Sequence, residues 1–208
     1  MKKAIIFDLD GTLWDATGCS WNIWNDVLEK HEEVQICMSQ EKTAALMGKT
    51  LDEIGEMLFP EMSERKRKAI LNNFSREEVK YLYENGAVLY EGVNETLDLL
   101  SKEYDLYIVS NCQDGYVQAF LNAHKLEGYF KDIEMFGRTG FDKGRNIRIL
   151  MERNDIKSAV YVGDTEGDEK ASRYAGIPFI YAAYGFGKAV SPDAVIKSIE
   201  ELPNTVRL

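Results

Sequence analysis

Cysteine is scarce: 208 residues hold only Cys19, Cys37 and Cys112. An odd set with no CxxC spacing rules against a disulfide framework and offers no zinc knuckle, so a reducing cytoplasm is the compartment it predicts. Long apolar runs are missing as well. No stretch approaches the ~18 residues of a membrane span, and the apolar part of MKKAIIFDLD is cut off by acids too soon for a signal peptide. The glycosylation sequons at Asn73 and Asn94 therefore read as chance. Positive charge is also in deficit, with 25 Lys and Arg against 35 Asp and Glu and a net charge of −10. Nucleic-acid binding normally rests on a basic face, so a nucleic acid is not the expected partner. A small phosphorylated substrate stays open, because it needs only a local cation. Neither a repeat nor a low-complexity tract is present, and the length suits one good-sized domain or a domain with an insert.

What the chain does have is concentrated in AIIFDLDGTLWD near its start. Ile5, Ile6 and Phe7 read as a buried strand, and the switch to Asp8, Leu9, Asp10, Gly11 and Thr12 places two acids on the loop at its carboxyl end. Open α/β sheets bind ligands at that edge. Two carboxylates in one cleft repel and are costly to desolvate, so a cation should accompany them. Magnesium fits, since it takes carboxylate and carbonyl oxygens and keeps positions for water and phosphate. A helix-loop-helix calcium loop does not fit, because its fifth and twelfth positions, counted from Asp8, hold Thr12 and Cys19. Asp-Gly alone would also serve an ordinary turn. The remaining clusters decide between the two.

Residues 15–86 read as almost wholly helical: WNIWNDVLEKH, EKTAALMG, TLDEIGEML, SERKRKAILNNF and REEVKYLYENG, punctuated by Gly48, Pro60 and Gly86. The charged run from Glu64 to Lys68 reads as a solvated helix face. Past about residue 94, helical patterns alternate with short apolar strands at 106–110, 159–164 and 178–185, and less clearly at 133–138. That alternation predicts an α/β fold, a Rossmann-like parallel sheet sandwiched by helices, with an all-helical cap inserted after the first strand. The expected division is a Rossmann-like core of residues 1–14 and 87–208 and a cap of residues 15–86. Gly48-Lys49-Thr50 mimics the end of a P-loop, but Thr43 stands where the first glycine belongs. Gly48 is expected to separate two cap helices, with Thr50 capping the second.

The second strand ends in Ser110 and Asn111, where a hydroxyl and a backbone N–H can face an anion. A third ends in Gly163-Asp164-Thr165-Glu166-Gly167-Asp168 and brings more carboxylates to the same edge. Lys143 lies between these clusters, at the start of KGRNIRILMER, as a counter-charge for a phosphate and an aspartate together.

In order and spacing, FDLDGTLWD, VSN, DKGRNI and VGDTEGD resemble the four motifs of haloacid dehalogenase-like hydrolases, and GVNETLDLLSKEYDLYIVSN is similar to that family's run into its second motif. Residues 15–86 resemble, by placement, the helical cap of its phosphoglycolate-phosphatase-like and β-phosphoglucomutase-like branch. The resemblance implies that Asp8 is the nucleophile and Asp10 the general acid and base. It implies that Asp8, the Asp10 carbonyl and Asp164 hold Mg2+ with Asp168 in support, and that Ser110, the Asn111 backbone and Lys143 grip the phosphoryl group. Lys143-Gly144 replaces the family's Lys-Pro, and Glu91 its proline before Gly-Val. The implied activity is a magnesium-dependent phosphatase acting on a small phosphorylated metabolite through an aspartyl phosphate. A sugar phosphomutase and a non-catalytic phospholigand-binding protein are the alternatives, the latter disfavoured because every carboxylate and Lys143 are kept. Lys49, Trp21 and Trp24 are cap residues able to face the cleft, although aromatics at helical spacing more often belong to a core. The oligomeric state is left open.

Overall fold

The computed structural model describes residues 3–31 and 34–207; residues 1, 2, 32, 33 and 208, which fall inside the expected domain boundaries, lie outside the described set. Strand β1 (Lys3–Phe7) takes the middle of a six-stranded sheet. Ala4, Ile5, Ile6 and Phe7 are all fully buried. Their alternation divides them between two layers, as a pleat of period two requires: Ile5 and Phe7 join the larger apolar cluster on one face, Ala4 and Ile6 the smaller on the other.

The chain then makes β2 (Trp14–Asp15) and enters four helices, α1 (Thr17–Leu28), α2 (Gln40–Ala44), α3 (Leu51–Leu58) and α4 (Glu64–Asn85), before returning through β3 (Val88–Leu89). β2 and β3 pair antiparallel and form a neck that the sequence does not announce, since two-residue strands leave no periodicity. The helical cap has its own apolar cluster around Trp24, Met38, Ile54, Ile70 and Phe74. Within it Trp24 and Phe74 stack with ring centroids 5.0 Å apart. Thr50 caps α3 as expected: its hydroxyl accepts from the Glu53 N–H at 3.3 Å, and the Glu53 carboxylate accepts from the Thr50 N–H at 2.7 Å. The last two predicted cap segments are one continuous helix of 22 residues, because no Gly or Pro interrupts the run between Ser63 and Gly86. Its Glu64 and Lys68 are exposed and paired at 2.6 Å, as a solvated face should be.

The core resumes with α5 (Val93–Leu100), β4 (Asp105–Ser110), α6 (Tyr116–His124), β5 (Phe130–Met135), α7 (Phe136–Thr139) and α8 (Lys143–Arg153). It continues with β6 (Ser158–Gly163), α9 (Glu166–Ala175), β7 (Phe179–Ala182), β8 (Ala194–Ile196) and, after a 3-10 turn, α10 (Leu202–Thr205). The sheet order is β5-β4-β1-β6-β7-β8, and every pairing is parallel. The weak strand expected at 133–138 is displaced: the strand starts at Phe130 and its expected end is the short helix α7. Among the described residues, no helix is long and apolar enough to cross a membrane.

Candidate active site

Three neighbouring parallel strands deliver their carboxyl ends to one spot. β1 is followed by Asp8, β4 ends on Ser110, and β6 is followed by Asp164. The Asp8 N–H donates to the Val162 carbonyl at 2.8 Å, so the sheet's ladder extends into the acid itself and holds its backbone still. Asp8, Asp164 and Asp168 each offer an oxygen, and the three lie within 4.8 Å of one another in a fully buried setting.

Lys143 is the first residue of α8 and is buried, with its ammonium 2.9 Å from Asp8 Oδ1 and 2.5 Å from Asp168 Oδ1. Burial alone would lower its pKa, but the charges of Asp168 and Asp8 outweigh that and hold it well above the ordinary lysine value. Asp168 is committed elsewhere on its second oxygen too: Oδ2 accepts from the Asp164 and Thr165 N–H groups and from the Thr165 hydroxyl, at 3.2, 2.9 and 2.6 Å. It therefore orients Lys143 and caps α9 with both oxygens engaged. One oxygen of Asp164 accepts from the Phe186 N–H at 2.7 Å. That leaves Asp8 Oδ2 and Asp164 Oδ1, buried and without a hydrogen-bond donor. Two orphaned carboxylate oxygens in an all-oxygen cradle suit a hard divalent cation. The backbone around Asp164 is close enough to demand glycine. A Cβ on Gly11, whose φ is +79°, would meet Asp164 Oδ2 at 2.3 Å, and one on Gly185 would meet the Asp164 Cβ at 2.3 Å.

Protonation follows from this crowding. Burial and the Asp168 charge push Asp8 up to about 6 against the opposing pull of Lys143. Burial, then Asp168 and Asp8, push Asp164 up to about 8. Asp10 stands apart from the metal-competent trio. Its Oδ1 accepts from the Trp14 indole N–H and from the Tyr116 hydroxyl, both at 2.9 Å. Burial and the Asp8 charge raise it to about 8, while the bond from Tyr116 opposes the rise. A carboxyl poised there can give or take a proton near neutral pH.

The cap closes the other side. The Asn111 side-chain amide donates to the Gly48 carbonyl at 2.9 Å, and the Gln113 amide donates to Glu78 Oε2 at 2.7 Å, so both residues bridge core and cap beside the site. Between them lies a cavity of about 40 Å³ lined by Asp8, Asp10, Ser110 and Asn111 from the core and by Trp24, Lys49 and Glu78 from the cap, among others. Trp24 is at once cap core and cleft wall, whereas Trp21 packs only at the edge of the cap cluster.

All the residues singled out in the four motifs thus meet at one place. Sequence reasoning missed Trp14, Tyr116, Gln113 and Glu78. Glu78 had a visible signal: it interrupts the stripe Ile70, Phe74, Leu82 at four-residue steps, where an apolar residue belongs. Trp14 and Tyr116 had none, since aromatics at such positions pass for core.

A family model for haloacid dehalogenase-like hydrolases matches residues 5–182. The chain belongs to that family. Among curated haloacid dehalogenase-like relatives, a phosphoglycolate phosphatase of Vibrio parahaemolyticus is 27% identical over 230 aligned positions, covering 98% of this chain and 96% of its own. One from Aquifex aeolicus is 28% identical over 225, covering 96% and 94%. A solved haloacid dehalogenase-like hydrolase from Bacteroides fragilis superposes with a TM-score of 0.85 at 22% identity, over 97% of this chain and 100% of that one, a likeness of fold.

Proposed function

We propose that this protein is a magnesium-dependent phosphatase that hydrolyses a small phosphorylated metabolite in the cytoplasm, with residues 1–14 and 87–208 as catalytic core and residues 15–86 as cap. The observation that carries the reading is the pairing of two buried, donorless oxygens, on Asp8 and Asp164, with a buried ammonium 2.9 Å from Asp8. The cradle accepts oxygen-binding Mg2+, which would be held by Asp8, Asp164 and the Asp10 carbonyl, with Asp168 in support. When bound it supplies positive charge against which an anionic carboxylate can approach an anionic phosphate.

In the residues' own terms, Asp8 attacks phosphorus. The Asp8 O–P bond forms as the ester P–O bond breaks, and Asp10 hands its proton to the departing oxygen. Lys143, the Ser110 hydroxyl and the Asn111 backbone N–H hold the phosphoryl oxygens. In the second half, water attacks phosphorus, its proton passes to Asp10, and the Asp8 carboxylate is released. The small cavity between core and cap supports a small substrate over a bulky one, admitted by cap opening.

The test is phosphate release from a small aryl phosphate, with magnesium and with excess chelator, by the parent and by Asp8→Asn. Magnesium-dependent release by the parent and none by Asp8→Asn is the expected result. Hydrolysis at the parent rate by Asp8→Asn removes the proposal, and phosphorus NMR showing an isomeric ester in place of free phosphate makes the protein a mutase.

A further inference from the structure

Glu78 has no place in the chemistry just described, yet it is buried to 3% exposure in the wall of the same cavity as Asp8 and Asp10. It occupies an apolar stripe of α4, where a carboxylate is expensive to keep. Its oxygens accept from the Trp24 indole N–H at 3.1 Å and the Gln113 amide at 2.7 Å, donors that pull against the rise in pKa that burial imposes on it. Among the described residues no cation comes within ion-pair distance of it. Its charge is felt at Asp10, whose pKa it helps to raise. Asp10 is the group that meets the ester oxygen, and Glu78 lines the same cavity from the cap side.

We infer that Glu78 determines which esters the enzyme accepts: leaving groups with a hydroxyl or ammonium donor next to the ester oxygen are favoured, and those with a carboxylate there are rejected. This rests on the phosphatase reading above. A carboxylate placed there would meet a buried acid that has no cation partner among the described residues, and in its ionised form would be repelled, while a hydroxyl or ammonium would supply it with a further donor. The opposing group is Lys49, the one cation among the cavity's described lining residues. It is only partly buried, so solvent and salt screen it more than they screen Glu78, which is 3% exposed. The two named relatives are phosphoglycolate phosphatases, and phosphoglycolate carries a carboxylate at that position. On this inference the present enzyme departs from them.

The experiment compares kcat/KM for phosphoglycolate, glycerol 3-phosphate and ethanolamine phosphate, with an aryl phosphate as reference, in the parent, Glu78→Gln and Lys49→Ala. The parent should prefer the hydroxyl and ammonium esters over phosphoglycolate by at least about tenfold, and Glu78→Gln should shrink that ratio at least about fivefold. A parent preference for phosphoglycolate overturns the inference, as does a ratio unmoved by Glu78→Gln, or one moved only by Lys49→Ala. If Glu78→Gln does not fold, the parent ratio decides alone. If the three esters turn over too slowly, their competition against the aryl phosphate gives the same ratio. A parent inert toward the aryl phosphate in magnesium refutes the phosphatase reading instead, a distinct outcome.

Discussion

Replacing Tyr116 by Phe removes a single hydroxyl from the site and should separate the two halves of the reaction. The Tyr116 hydroxyl donates to Asp10 Oδ1 at 2.9 Å and so favours the ionised carboxylate. A hydrogen bond to a charged group is worth roughly 1.5–3 kcal/mol, and one pKa unit is about 1.4 kcal/mol. The Trp14 indole still serves the same oxygen at 2.9 Å, which puts the expected rise at the low end, about one unit. The sign matters: Asp10, already near 8, moves further toward its protonated form. Protonating the leaving oxygen is unharmed, whereas taking a proton from water requires the ionised form, whose population at neutral pH drops about tenfold. Phe keeps the edge contact with Trp14, at 5.5 Å between ring centroids, so the fold should hold. In Tyr116→Phe, kcat on an aryl phosphate should fall about tenfold with KM falling alongside, a stoichiometric burst of aryl alcohol should appear, and the basic shift should show in the pH profile of kcat. Equal losses in kcat and kcat/KM, with no burst and no shift, would refute the assignment of both proton transfers to Asp10.

Asp8→Asn should abolish turnover while leaving the circular dichroism spectrum intact, because the shape is kept and only the nucleophile's charge is lost. In chelator, the thermal midpoint should fall as pH rises from 6 to 8. Asp10 and Asp164 are held near 8 in the fold but near 3.9 unfolded, so their contribution is fully present below the unfolded value and is lost as pH climbs through 8. That is worth about 2 kcal/mol for each over this range. Magnesium, which favours the ionised forms, should flatten the trend; scanning calorimetry at each pH with and without it is the check, and a chelated midpoint that rises toward pH 8 would contradict the sign. Gly11→Ala should destabilise the protein by at least about 1–2 kcal/mol from its left-handed backbone alone, and its Cβ should disorder Asp164; denaturant melts and magnesium titration read the two effects separately.

The parallel sheet and the position of every motif acid were legible because buried strands of four or five apolar residues end abruptly in Asp or Ser, a pattern few other folds produce. Lys143 was legible only through its place between clusters; its burial and its two carboxylate partners come from packing that no local pattern encodes. The neck of β2 and β3 escaped notice because two residues make no period. Asp168 shows a different limit: its acid chemistry is plain in the sequence, yet only the fold reveals that one of its oxygens serves Lys143 and the other a helix cap. Trp14 and Tyr116 lay hidden in the same way, being aromatics whose polar ends matter more here than their rings.

The register of β1 sets the order in which this protein can be assembled. Ala4 lies beside Asp105 on one side and Ala159 on the other, so the central strand waits for partners about a hundred and then a hundred and fifty residues later in the chain. Loop closure over such spans is slow. The helices between Thr17 and Asn85 carry an apolar cluster of their own, drawn from one stretch of chain, and should gain hydrogen-exchange protection before any part of the sheet does. During synthesis, Ala4 to Phe7 is an apolar segment awaiting its neighbours. Until β6 leaves the ribosome it is also the segment most exposed to pairing with another chain.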